Sequence, residues 1–170
     1  LGSNTFNPVF GATGNAYNPA HTAGGSSGGA AVALAHRLLP LADGSDFMGS
    51  LRNPAAWNNV FGMRPSQGRV PAFPAHDVWV NQLSTDGPMA RHMRDLACLL
   101  ETMAGYDPRS PLSLDNLPAG WSQQLRPIAK DLRIGWLGDL NGYLPMENGI
   151  LQACENGLQK LRDLGAHVEP

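Results

Sequence analysis

The sequence is poor in charged residues and contains no long apolar run. Only 15% of its 170 residues are charged and the formal net charge is −2, so it lacks the basic surface that binds nucleic acid. No stretch approaches the roughly 20 apolar residues of a membrane span. No signal peptide is visible, although the first residue is leucine and not methionine. We therefore expect a cytoplasmic protein that contacts neither nucleic acid nor a membrane directly.

Cysteine is also scarce. The two cysteines, Cys98 and Cys154, each lie within a helical pattern of apolar residues. Isolated thiols of this kind favour buried, reduced side chains over a disulfide or a metal site. Their isolation also excludes the cysteine nucleophile that a nitrilase-type reaction requires.

Glycine and proline, in contrast, are abundant, with 20 and 14 residues, and 42% of the chain is hydrophobic. This composition is typical of a globular protein with many turns between its regular elements. A polar, proline-rich stretch is interpreted as a connector over about 106–127. Hydroxyls and glycines before an Ala/Leu run predict a capped helix that starts at Ser26 and ends at Pro40. Apolar residues at helical spacing predict helices over 93–104 and 150–161, and a short helix is expected over 51–59. Strands are expected within 39–47, 131–138 and 166–170, and loop or edge structure over 60–77.

The last of these elements decide the fold class. A buried strand within 131–138, a helix and the start of another strand form the usual building block of an α/β protein. The sequence stops inside this unit. We therefore expect an α/β fold and a chain that is a piece of a longer protein.

Serines flanked by glycine are the strongest chemical signal. "GGSSGG" (24–29) contains Ser26 and Ser27, and "GSDFMGSLRNPA" (44–55) contains Ser50. A serine nucleophile needs a base for its proton and backbone N–H groups for the oxyanion, and glycine lets the backbone approach a substrate closely. The same residues also fit plain roles, with Ser26 and Ser27 capping a helix and Ser50 in a turn.

Two other chemical interpretations remain open at this point. "GGSSG" fits the nucleophile elbow of α/β-hydrolases, which makes Ser26 the nucleophile and requires a later histidine such as His76, His92 or His167. The residues before it read as loop and not as the strand that an elbow needs. A phosphate-binding loop is a third interpretation, although no G-K-[ST] follows.

The complete run from residue 24 to 71 resembles the amidase signature family, whose second motif is similar to "G-[ST]-D-x-G-G-S-x-R-x-P-[AS]". "NPVFGATGNAYNPAHTAGG" (7–25) and "LSTDGPMARHMRDLACLL" (83–100) resemble the flanking stretches. The resemblance covers about 1–110 strongly and 128–170 loosely. It implies that residues 1–170 are the central part of a single amidase domain, truncated at both ends, in which helices cover a mixed, twisted sheet.

The resemblance also implies a Ser–Ser–Lys catalytic arrangement. Ser50 is then the nucleophile, and Ser26 relays its proton towards the lysine. The peptide bond between Gly25 and Ser26 is expected to be cis. Ser27 is expected to form a hydrogen bond within the site. The oxyanion hole is assigned to the backbone N–H groups of Phe47, Met48, Gly49 and Ser50.

Two further positions bear on the second motif. Asp46 and Arg52 match the family's acidic and basic positions beside the nucleophile, and we expect them to form a charge-assisted pair that fixes the loop. Met48 departs from the family, which usually has glycine there. Either Met48 is strained by a positive φ or it narrows the acyl pocket, and we favour the second.

The lysine of the implied triad is missing. Lys130 and Lys160 are the only lysines in the sequence, and neither has the family's context. We therefore expect the base to lie upstream of residue 1 and this piece alone to be inactive.

The resemblance implies an amide hydrolase that acts through an acyl-enzyme, on a small-molecule amide, with no metal and no organic cofactor. The resemblance is also compatible with a homodimer of the full-length protein. An amidotransferase subunit of a tRNA-dependent amidation complex and a non-catalytic interaction segment remain alternatives.

Overall fold

A computed structural model describes residues 2–73, 83–126 and 130–170 of the chain. The chain divides into two compact units, Leu1–Gln124 and Leu125–Pro170. Most of the predicted connector therefore belongs to the first unit. That the units form parts of one domain stays a prediction. Within the described residues, no helix is both long and apolar enough to cross a bilayer.

The first unit begins with a small antiparallel hairpin of β1 (Phe6–Asn7) and β2 (Gly11–Ala12). The side chain of Asn7 organises its turn, because Oδ1 accepts the N–H groups of Val9 and Phe10 at 3.0 and 2.8 Å. Phe6, Val9 and Phe10 are exposed. Residues 13–23, which contain an isolated bridge between Gly14 and Thr22, connect the hairpin to the glycine- and serine-rich segment.

A three-stranded antiparallel sheet forms the centre of this unit. It consists of β3 (Leu41–Asp46), β4 (Phe61–Gly62) and β5 (Thr85–Ala90), in the order β3-β5-β4. The strand predicted within 39–47 and the edge structure predicted within 60–77 are confirmed as far as the described residues extend. β5 was not predicted, since Gly87 and Pro88 interrupt its sequence. Pairing with β3 along its whole length overrides that local preference.

Three α-helices accompany the sheet in this unit. They are α1 (Gly28–Ala35), α2 (Arg52–Trp57) and α3 (Met93–Met103), followed by a short 3₁₀ helix (Trp121–Gln124). The three predicted helices are confirmed, although α1 ends before Pro40 because Arg37 already has a positive φ of 61°. The core lies between α1, α2 and β5 and contains Ala31, Leu34, Leu51, Ala55 and Met89.

Leu51 connects this core to the serine motifs. Its side chain is fully buried, and it directly follows Ser50. Burying a leucine side chain contributes about 1.5–3 kcal/mol. The core therefore fixes the chain position immediately beside the candidate nucleophile.

The proline-rich stretch after α3 is attached to that helix. The Glu101 carboxylate accepts the N–H of Gly120 and both the N–H and the hydroxyl of Ser122. The hydrogen bond from the Ser122 hydroxyl is the main reason that the pKa of Glu101 lies below its usual value. Residues 106–124 are thus part of a folded unit.

The cysteine prediction was half wrong. Cys98 and Cys154 are free thiols, but both are exposed and not buried. In α3 the helical spacing identified the buried residues Leu96, Ala97 and Leu100, while Cys98 is exposed and its Sγ lies 3.8 Å from Ser122 Oγ. In α4 the predicted apolar face was only partly correct, because Leu158 is buried but Ile150 and Cys154 are exposed.

The second unit contains the expected strand, helix and strand. β6 (Arg133–Gly135) pairs in parallel with β7 (His167–Glu169), and α4 (Ile150–Asp163) connects them. The prediction of a buried strand within 131–138 was wrong in its burial, since only the middle residue of β6 is half-buried. The α/β class of the chain is confirmed.

Candidate active site

The two serine motifs lie side by side in the first unit. We call residues 24–28 the first serine loop and residues 46–51 the second serine loop. The backbone N–H of Ser27 donates to the carbonyl of Ser50 at 3.3 Å. The hydroxyl of Ser27 donates to the carbonyl of Ser45 at 3.4 Å, so this side chain forms a hydrogen bond within the site. Ser26 is exposed and Ser50 is half-buried, so both loops open towards solvent.

Thr5 holds the first serine loop. Its hydroxyl is shared between the carbonyls of Gly24 and Ser26, at 2.9 and 3.2 Å, and accepts the N–H of Gly28 at 3.0 Å. One neutral hydroxyl therefore contacts both ends of the loop. Sequence reasoning missed Thr5, because nothing local connects a threonine of the hairpin to a motif about twenty residues later.

The peptide bond between Gly25 and Ser26 is cis, as the family resemblance implies. Gly25 is buried, and a Cβ at this position would collide with the backbone of Asn4. Glycine is therefore required here for the close approach of the two backbone segments.

The second serine loop is built around the buried carboxyl of Asp46. Its two oxygens accept the N–H groups of Gly49 at 2.7 Å, Leu51 at 3.2 Å and Arg52 at 3.4 Å. The guanidinium of Arg52 adds a bidentate pair at 2.9 and 3.1 Å. The predicted ion pair between Asp46 and Arg52 is thus present. Because these donors come from both sides of Ser50, the carboxyl fixes the loop around that residue.

These contacts determine the ionisation of Asp46. Burial raises the pKa of its carboxyl, but hydrogen bonds from Arg52, the Gly49 and Leu51 N–H groups and Arg64 act in the opposite direction. Together they outweigh the burial and hold the pKa well below its usual range. The carboxyl therefore stays charged at any neutral pH, and the loop keeps its anchor.

The backbone of the second serine loop offers several free donors. Within the described part of the chain, the N–H groups of Phe47, Met48 and Ser50 donate to no protein acceptor. The Gly49 N–H is different, since it is engaged by Asp46 at 2.7 Å. Of the four N–H groups that the resemblance assigns to the oxyanion hole, three thus have no acceptor among the described residues.

The departure at Met48 has a simple structural consequence. Met48 has no positive φ, whereas Gly49 has a φ of +106°. The glycine that the backbone requires is thus present, and Met48 is not strained. Met48 is 80% exposed, so the fold does not use it to fill the core.

Arg64 is a second site residue that sequence reasoning missed. It follows β4, and its Nη1 donates to Asp46 Oδ1 at 3.2 Å and to the Asp46 carbonyl. In sequence it stands 18 residues from Asp46. No local pattern marks it, because the contact exists only when β4 packs beside β5.

The histidines do not support a nucleophile elbow at Ser26. An elbow needs a strand directly before the serine, and the described residues between β2 and Ser26 contain only an isolated bridge between Gly14 and Thr22. His92 is exposed at the start of α3, and His167 belongs to the second unit. His76 lies outside the described residues.

Comparison with known proteins identifies the family. The family model for amidases matches residues 1–170 of the chain. The chain belongs to the amidase signature family. This result agrees with the motifs at 24–29 and 44–55, and a fold of this family accounts for the mixed α/β structure.

Amidase relatives of the chain include both curated proteins and solved structures. The chain is 43% identical over 169 residues to a glutamyl-tRNA(Gln) amidotransferase subunit from Thermus thermophilus, covering 99% of this chain and 35% of that protein. A bacterial aryl acylamidase superposes with a TM-score of 0.87 at 35% identity, over 99% of this chain and 34% of that one. A 6-aminohexanoate cyclic dimer hydrolase gives the same TM-score at 28% identity, over 99% and 36%.

The chain thus spans about a third of the length of these amidase relatives. It contains both serine motifs within its first unit. The two lysines of the sequence, Lys130 and Lys160, both lie in the second unit.

Proposed function

We propose that this chain carries the nucleophile of an amide hydrolase and that Ser50 Oγ forms the acyl-enzyme. The observation that carries the proposal is the contact between the two serine loops, next to three N–H groups that have no acceptor among the described residues. Membership of the amidase signature family supports the reaction class. The substrate is a small-molecule amide whose carbonyl carbon is placed at Ser50.

The proposed reaction has two steps that share one proton path. Ser50 Oγ attacks the amide carbonyl carbon, its proton passes to Ser26 Oγ, and the proton of Ser26 passes to an amine base. The carbon–nitrogen bond then breaks, and the proton returns along the same path to the leaving nitrogen. Water repeats the sequence on the ester to release the acid.

Backbone donors stabilise the negative charge that develops on the carbonyl oxygen. The free N–H groups of Phe47, Met48 and Ser50 are assigned this role. Removal of one such donor typically lowers kcat by about 10²–10³-fold. Ser27 connects the two loops, Gly25 allows the first loop to pack against Asn4, and Asp46 and Arg52 fix the second loop.

The base in this proposal is a lysine outside the present sequence. Residues 1–124 contain no lysine, and the relatives are about three times as long as this chain. A buried amine beside Ser26 would have a lowered pKa, which suits it to accept the proton at neutral pH.

Labelling with an acyl-directed probe tests the nucleophile. In the full-length protein, a fluorophosphonate should modify Ser50, and Ser50→Ala should abolish both labelling and amide hydrolysis. Ser26→Ala should slow both, because the proton path is broken. Ser66→Ala, an exposed serine outside both loops, is the matched control and should change neither.

Each other labelling result identifies a different function. Modification of Ser26 in place of Ser50 would support the nucleophile elbow. Absence of any label in the folded full-length protein would support a non-catalytic interaction segment.

A second candidate function is that of an amidotransferase subunit. The 43% identity to a glutamyl-tRNA(Gln) amidotransferase subunit favours it. In that case the amide donor releases ammonia for transfer, and other subunits bind the tRNA. Hydrolysis of anilides and glutamine by the full-length protein, with and without added subunits of such a complex, separates the two functions. Activity that appears only in the complex would favour the amidotransferase.

A further inference from the structure

Arg64 contacts the second serine loop from outside it. Nη1 donates to the carbonyl of Asp46, to Asp46 Oδ1 at 3.2 Å and to the carbonyl of Phe47 at 3.4 Å. Nη2 donates to the carbonyl of Leu83 at 2.9 Å. One guanidinium therefore contacts two successive carbonyls of the loop and a third that lies just before β5.

The direction of each of these carbonyls also fixes the direction of the N–H group in the same peptide unit. In a trans peptide, the carbonyl of one residue and the N–H of the next point in opposite directions. Within the described residues, the only cis bond precedes Ser26. The carbonyls of Asp46 and Phe47 point towards Arg64, so the N–H groups of Phe47 and Met48 point away from it. These two N–H groups are among the three that have no acceptor in the part of the chain that the structure describes.

The two arginines of the loop make different contacts. Arg52 binds only the carboxylate of Asp46 through its side chain, at 2.9 and 3.1 Å. Arg64 binds the same carboxylate but also the backbone carbonyls. Its side chain is 27% exposed, against 56% for that of Arg52, so its hydrogen bonds compete less with water.

We propose that Arg64 is a positioning residue that sets the direction of the two oxyanion-binding N–H groups of Phe47 and Met48. The inference rests on the proposed function, since it assigns an orienting group to the same oxyanion hole. A guanidinium suits the role, because it is planar, always charged and offers several donors in a fixed geometry. A lysine ammonium lacks this fork and cannot hold the Asp46 and Leu83 carbonyls in the same way.

Kinetics of the full-length protein test this role. Arg64→Met should lower kcat by about 10²-fold while KM changes by less than about threefold, because the lost interaction acts only on the transition state. Arg64→Lys should recover only part of the loss. Affinity for a trifluoromethyl ketone, which mimics the tetrahedral intermediate, should fall in parallel with kcat. All rates are divided by the concentration of protein whose Ser50 the fluorophosphonate labels in a parallel sample, so that misfolded protein does not contribute.

Arg91→Met is the matched control. Arg91 Nη1 donates to the carbonyls of Leu34 and Leu39 at 2.9 and 2.7 Å, so this arginine also holds two main-chain carbonyls, but away from the serine loops. It should lower stability without changing kcat per labelled site.

Two outcomes would overturn the assignment of Arg64. One is a kcat per labelled site in Arg64→Met within about threefold of the parent protein. The other is an unchanged orientation of the Asp46–Phe47 and Phe47–Met48 peptides in a crystal structure of the variant. The crystal structure also separates this inference from the proposed function. If the parent protein hydrolyses no amide, the proposed function fails, while the peptide orientation still decides the role of Arg64.

Discussion

The two serine loops lie against each other but are held by different chemistry. The first serine loop depends on one neutral hydroxyl, that of Thr5, and on close backbone packing. The second depends on a buried carboxylate and two arginines. A neutral anchor is insensitive to pH, whereas an ionic anchor fixes several backbone groups at once but requires its charge. The loop that offers the oxyanion donors has the ionic anchor.

Removal of the Asp46 carboxylate, the ionic anchor of the second serine loop, should have the largest effect on stability and activity. Asp46→Asn should lower the free energy of unfolding by about 3 kcal/mol, because one amide replaces a carboxylate that accepts bonds from backbone and arginine donors. Hydrolysis by the full-length protein should be lost with it. Urea denaturation and a kinetic assay measure the two effects.

Asp107→Asn provides the control for that experiment. Asp107 also forms a bidentate pair, with Arg109, which holds its pKa at about 2, but the pair lies at the surface. Its removal should have little effect on stability or hydrolysis. Equal losses in the two variants would show that the position of the carboxylate does not matter.

The backbone of the second serine loop can be disturbed without touching a charge. Gly49→Ala places a Cβ 2.7 Å from Asn53 Nδ2 at a φ of +106°. The expected loss of stability is about 1–3 kcal/mol, with a parallel loss of kcat because Gly49 separates Met48 from Ser50. Thermal unfolding and amide hydrolysis report the two quantities.

Gly11→Ala separates the two causes. Gly11 has a positive φ of 75° but open space around it. Gly11→Ala should lower the free energy of unfolding only through the strain of a positive φ in alanine, and it should retain kcat. A similar loss of kcat in both variants would contradict the importance of the Gly49 position.

Removal of the neutral anchor should have a smaller effect. Thr5→Val keeps the side-chain volume but leaves the Gly28 N–H without its acceptor and frees the carbonyls of Gly24 and Ser26. We expect a loss of about 1–2 kcal/mol in the free energy of unfolding and a partial loss of kcat. Ser3→Ala, at an exposed serine two positions earlier, should be neutral. A loss in Thr5→Val as large as that in Asp46→Asn would remove the distinction between the anchors.

The pH dependence of the unfolding free energy should also differ between the ionic anchor Asp46 and the neutral anchor Thr5. The pKa of Asp46 is lower in the folded protein than its ordinary value of 3.8, so its carboxylate stabilises the fold above that pH. This contribution is lost as the pH falls below about 4, where the unfolded chain takes up the proton first. The difference in unfolding free energy between the parent and Asp46→Asn should therefore be constant near neutral pH and shrink below about pH 4. The difference between the parent and Thr5→Val should not depend on pH.

The smallest expected effect concerns Met48. Its side chain is largely exposed and makes no structural hydrogen bond, so Met48→Gly should barely change stability. If Met48 narrows the acyl pocket, this variant should lower KM for bulky acyl groups and leave that for small ones unchanged. Steady-state kinetics with acyl anilides of increasing size measure this. Equal KM changes for all sizes would contradict the narrowing.

Local patterns located the helices but fewer of the strands: β3, β6 and β7 were predicted, whereas β5 and the hairpin of β1 and β2 were not. A capped Ala/Leu run predicted α1, and apolar spacing predicted α3 and α4. The buried residues Leu96 and Leu100 follow that spacing in α3, whereas Ile150 on the predicted apolar face of α4 is exposed. Patterns failed where pairing decided the result. β5 contains Gly87 and Pro88 and is a strand because it pairs with β3 on one side and β4 on the other. The exposed thiols of Cys98 and Cys154 show that helical spacing alone does not decide whether a weakly apolar side chain is buried.

The sequence by itself determined the chemistry that the chain can offer: two glycine-flanked serine motifs, an acidic and a basic residue near Ser50, and no lysine within residues 1–124. The serines and their charged neighbours could be recognised because each motif consists of residues that are close together in the sequence. The tertiary structure alone decided that Thr5 holds one loop and Arg64 the other. Thr5 contacts residues 19 to 23 positions away in the sequence, and Arg64 contacts residues 17 and 18 positions away. Residues so far apart in the sequence come into contact only after the chain has folded.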